Sequence, residues 1–76
     1  MGSVVSSILQ IVEGFPVGEE FTAPQVIDRM IADNPRLRRD SLRHKVPSIL
    51  EGLIHYGLVE RTAEHFGSSP AIWRRV

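Results

Sequence analysis

Apolar positions along most of this chain recur with the three-and-four spacing of a helix, then give way near the C-terminus to short runs of strand composition. Val5, Ile8, Leu9 and Val12 fall at i, i+3, i+4 and i+7, which puts them on one face of a helix over residues 3–13. Gly14 follows where a helix C-terminus commonly needs a left-handed residue, and Pro16 and Gly18 mark the turn beyond it. Glu20 and Phe21 suit a very short extended piece. Thr22 then opens a second helix over 22–34. With Gln25 three residues on, it has capping-box spacing, and Pro24 is tolerated because first-turn amides lack an intrahelical partner. Ala23, Val26, Ile27, Met30 and Ile31 form its apolar stripe, and Asn34-Pro35 ends it.

A third helix is expected over 41–56, capped by Asp40 or Ser41, with Leu42, Val46, Leu50 and Leu53 on its buried face and Ile49 and Ile54 widening it. Pro47 conflicts with an uninterrupted helix. Either the helix kinks there, or its regular part starts near Val46 with Pro47 in the first turn. Gly57 is the stop. Residues 58–62 and 71–75 have strand composition, and the small and polar residues between them, with Gly67, Ser68 and Ser69 as the turn, join them into a hairpin with a long tip. A two-stranded hairpin is not stable alone, so it must lie on the helices, through Leu58 and Trp73. Trp73 reads as a core anchor.

The chain has 76 residues, room for a single domain over 1–76. An apolar content of 42% is ordinary for a globular chain. Cysteine is absent, which excludes disulfides, thiolate metal sites and cysteine nucleophiles. No apolar run approaches the roughly 18 residues of a membrane span, and no signal peptide is visible. Residues 1–6 match the permissive N-myristoylation pattern, which plain N-termini often match too. His44 and His55 are about three helical turns apart, roughly 16 Å, too far to share a metal ion. No carboxylate pair or Gly-rich phosphate loop stands out. The expectation is therefore a non-enzyme without metal or cofactor, at an intracellular site in cytoplasm, nucleoid or nucleus.

Nine Lys and Arg balance nine Asp and Glu, so the formal net charge is zero. The balance conceals a segregation. Residues 1–35 carry one base against five acids, and residues 36–76 carry eight bases against four acids. Residues 36–45 alone hold five bases and one acid. Such asymmetry marks an electropositive face better than the total does.

Val46, Leu50, Leu53, Gly57, Leu58 and Val59 occupy a pattern that resembles the end of the recognition helix and the first wing strand of winged helix-turn-helix DNA-binding domains. The resemblance runs from Val5 to Arg75. It implies an α+β fold of three helices with a C-terminal two-stranded β-hairpin wing. The implied function is that of a small duplex-DNA binder, a transcriptional regulator whose recognition helix enters the major groove. Ser41, Arg43, His44, Lys45 and Ser48 would then face bases, Arg36, Arg38 and Arg39 phosphates, and the wing stems Arg61, Arg74 and Arg75 further phosphates. The tip, residues 64–69, has no Lys or Arg, unlike a strongly basic wing.

Two other uses follow from the same residues. The neutral total, the wing tip without Lys or Arg and Glu51 on the third helix suit an adaptor that binds a protein partner. Pro70-Ala71-Ile72-Trp73 resembles the wing ending of domains that recognise Z-form nucleic acid, although Pro47 and Glu51 stand where those domains use Asn and Tyr. A homodimer would have helix 1 as its available surface, with Val4 and Ile11 beside the buried stripe.

Overall fold

A computed structural model describes residues 4–64 and 66–76. The start of the first helix at Ser3, the myristoylation pattern in its first three positions and any role of His65 lie outside the described residues. The chain is α+β, in the order α1 (Val4–Gly14), β1 (Glu20–Thr22), α2 (Ala23–Asp33), α3 (Arg39–His55), β2 (Val59–Ala63) and β3 (Ile72–Arg75). The strands form one antiparallel sheet in the order β1-β3-β2. The expected two-stranded hairpin is thus the larger part of a three-stranded sheet. Phe21 pairs with Trp73 and Thr22 with Ile72, so the short extended piece before α2 closes the outer edge of β3.

Thr22 ends β1 and begins α2 in a single residue. Its hydroxyl accepts from the Gln25 N–H at 3.4 Å, and the Gln25 side chain accepts from the Thr22 N–H at 2.8 Å. This is the anticipated capping box, and it satisfies two otherwise orphaned donors where strand becomes helix. Gly57 adopts φ 75°, the left-handed conformation that lets α3 stop and β2 begin. Gly14 does not adopt it: it is the last residue of α1, and the left-handed residue of that loop is Gly18, at φ 91°.

α3 also begins earlier than expected. Arg38, not Asp40 or Ser41, occupies the cap, without a side-chain hydrogen bond. The helix therefore runs two turns before Pro47 and continues through it, so Pro47 is not in a first turn. An interior proline leaves the carbonyl four residues earlier, that of Arg43, without its usual N–H partner.

The core lies between the helices and the inner face of the sheet. Ile8 and Val12 from α1, Val26, Ile27 and Met30 from α2, and Leu42, Val46, Leu50 and Leu53 from α3 are buried, as expected. Val5, expected in the α1 stripe, is 45% exposed because the buried face of that helix centres on Ile8 and Val12. The sheet contributes Phe21, Val59 and Trp73, one inward side chain per strand. Val59 rather than Leu58 is the buried partner of Trp73, and Leu58 is half-buried. Burial of such side chains supplies about 1.5–3 kcal/mol each. No described helix is long and apolar enough to cross a membrane.

Candidate nucleic-acid interface

The basic segment begins in the connection between α2 and α3. Asn34 caps α2 and turns the chain: its side-chain oxygen accepts from the Arg36 N–H at 3.2 Å, and its carbonyl from the Leu37 N–H at 3.1 Å. Leu37 packs against the core, which leaves Arg36 and Arg38 pointing outward on either side of it. Arg36, Arg38, Arg39, Ser41, Arg43, His44, Lys45 and Ser48 are all exposed.

Helical geometry distributes these residues around α3. Leu42, Val46, Leu50 and Leu53 define the buried side, and at 100° per residue His44 and Ser48 lie opposite. Arg39, Arg43 and Pro47, spaced by four, form one flank, and Ser41 and Lys45 form the other. The early turns of α3 therefore present bases on both flanks, with Asp40, His44 and Ser48 between them.

Several of the other bases are engaged within the chain. Arg39 pairs with Asp28 of α2. Arg61 reaches from β2 across to α3, donating to Glu51 at 2.5 Å, and also to Glu64 at 3.2 Å. Arg74 pairs with Glu60, its cross-strand neighbour. Arg75 faces the other way: its Nε donates to the Val12 carbonyl of α1 at 3.1 Å, and a terminal nitrogen to the Val76 carbonyl at 2.6 Å. The hairpin thus adds no unpaired base to the α3 surface. Among the described residues Arg36, Arg38, Arg43 and Lys45 have no acidic partner. The structure gathers the residues of 36–48 into one surface and removes Arg75 from it.

The acids that hold the remaining bases were not legible from spacing, because none of the pairs except Arg61 with Glu64 is local in sequence. Glu51 was visible as an acid on α3, but its neutralisation by Arg61 was not. The hairpin tip is closed by reciprocal backbone hydrogen bonds between Phe66 and Ser69. Gly67 at φ 58° supplies the positive φ at the first central position, as in a type II′ turn. Phe66 is 85% exposed there.

Comparison with known proteins adds no relative: no family model, curated protein or solved structure matches this chain.

Proposed function

We propose that this protein is a winged helix-turn-helix domain that binds duplex DNA, with α2 and α3 as the helix pair, α3 entering the major groove and the β2–β3 hairpin as the wing. The observation that carries this reading is the excess of unpaired bases at the N-terminal end of α3. Among the described residues Arg36, Arg38, Arg43 and Lys45 are exposed without an acidic partner, four bases around the single acid of the first turn, Asp40, and Glu51, deeper along the helix face, is neutralised by Arg61. In a helix-turn-helix arrangement the early residues of the second helix meet base edges. Arg43, His44, Lys45 and Ser48 have the donors and acceptors for that, while Arg36 and Arg38 are placed for phosphates.

The ion pairs give this interface a definite strength. If each of the four cations Arg36, Arg38, Arg43 and Lys45 displaces one counterion from the duplex, whether it meets a phosphate or a base edge, the slope of log K against log salt is about −3.6. The protein would be a regulator of low non-specific affinity, in cytoplasm, nucleoid or nucleus, wherever the DNA is. Titration of a mixed-sequence duplex by fluorescence anisotropy at several salt concentrations tests this. Binding with a slope near that value supports it. Absence of binding at about 50 mM salt overturns it.

A further inference from the structure

Beside the Arg39–Arg43–Pro47 flank of α3 lies a groove of about 400 Å³, bounded by α2, α3 and the hairpin. Its walls are apolar: three prolines, Pro24, Pro47 and Pro70, come together there with Ala71, Ile27 and Trp73. They arrive from three separate parts of the chain. Pro24 comes from the first turn of α2, Pro47 from the middle of α3 and Pro70 from the approach to β3. Arg39 and Arg43 also line the groove, and Arg43 has no acidic partner among the described residues.

Two hydrogen-bonding groups at this place lack their usual partners. Trp73 is 2% exposed, and its indole N–H meets no acceptor among the described residues. The Arg43 carbonyl has no N–H at the fourth position ahead, because Pro47 stands there. One is a donor and the other an acceptor, the pair that a peptide backbone complements. Apolar walls suit an aliphatic or aromatic side chain better than a sugar-phosphate backbone. The Arg43 guanidinium, without an acidic partner among the described residues, selects a negatively charged flank, while Arg39 is already paired with Asp28.

We infer that this groove is a docking site for an acidic peptide segment that carries an apolar side chain. The side chain fills the proline-lined space, a neighbouring carboxylate meets Arg43, and the peptide backbone meets the Trp73 N–H and the Arg43 carbonyl. The inference goes beyond DNA binding: it shares Arg43 with that reading, but its apolar walls, Pro24, Pro47, Pro70 and Trp73, contact no DNA in it.

Trp73 is the single tryptophan, so its indole N–H resonance and its emission report on the groove alone. The probe is a pool of acetylated, amidated heptapeptides with Asp and Glu flanks and a central Leu, Ile, Phe or Met. Addition to the full chain should shift the Trp73 indole resonance saturably. A pool with Lys flanks, and one with acidic flanks around a central Ser, should not. Arg43→Glu should weaken the response about tenfold or more, equivalent to about 1.4 kcal/mol. Pro70→Glu, at an exposed position, should abolish it while the backbone spectrum stays native. Lys45→Ala, on the opposite flank, should weaken duplex binding and leave the peptide response intact. An unmoved indole resonance with the acidic apolar pool, or an equal response to the Lys pool, overturns the inference. So does an indole shift produced by duplex DNA and not by peptide, which would assign the groove to nucleic acid. Whether DNA binds at the 36–45 surface is read separately, from the anisotropy titration and its Lys45→Ala variant, so failure of the peptide response leaves that reading standing.

Discussion

Glu51 shows how a single side chain sets the character of the α3 surface. Alone, a carboxylate on this face would repel phosphate. Held at 2.5 Å by Arg61, it cancels, and so does Arg61. Both partners are about 40% exposed, so the pair contributes little to stability, on the order of 0–1 kcal/mol. Its effect on binding is larger, because Glu51→Gln removes a negative charge and leaves Arg61 held only by the exposed Glu64. The variant should bind duplex DNA more tightly, with a salt slope steeper by about 1, measured in the same anisotropy titration. An unchanged slope would mean that Arg61 stays out of reach of phosphate even when released. Arg75 offers the opposite case. Its donation to the Val12 carbonyl ties β3 to the C-terminal end of α1, where orphan carbonyls need donors. Arg75→Ala should lower stability by about 1–2 kcal/mol in urea unfolding and leave the DNA affinity of the folded protein unchanged.

At the scale of elements, the helices were readable because their cores repeat at helical spacing and α2 begins with a complete capping box. Thr22→Ala should cost about 1 kcal/mol by thermal or chemical unfolding. What escaped the sequence escaped for physical reasons. β1 is three residues long and pairs with residues 72–74, so neither its periodicity nor its partner is visible locally. The start of α3 has a cap with no side-chain bond, while Asp40 and Ser41 imitate one a turn later. The basic surface of 36–48 was legible because burial follows from the apolar stripe of α3. The pairing of Arg39, Arg61 and Arg74 was not, because it depends on helix packing and strand register. Pro47 is the remaining conflict between local preference and observed structure. Helix interiors resist proline by about 3 kcal/mol, yet α3 passes through it. Pro47→Ala should restore the hydrogen bond to the Arg43 carbonyl and raise stability by about 1 kcal/mol or more. A loss of stability instead would show that the ring's packing in the proline-lined groove outweighs the missing bond.

At the scale of the molecule, a neutral total hides two halves of the sequence of opposite sign, and the chain is small. A 76-residue chain without disulfides holds together through one small core, so anything that binds only the folded state should register strongly in its melting temperature. Duplex DNA at 100 times its Kd would add about 2.7 kcal/mol, a rise on the order of 10–20 °C for a domain of this size. The same duplex concentration should do far less at higher salt. Displacement of four counterions implies an affinity loss of about 150-fold between 50 and 200 mM, which brings the duplex from 100 times Kd to below Kd. The added stability then falls to about 0.3 kcal/mol, a shift of only about 1–3 °C. Calorimetric scans of the protein with and without duplex, each at both salt concentrations, separate this loss from any direct effect of salt on the fold. A duplex-dependent shift that survives 200 mM salt would place the binding energy in contacts other than the four unpaired bases at the start of α3. A shift absent at both concentrations would leave those bases without DNA as their partner.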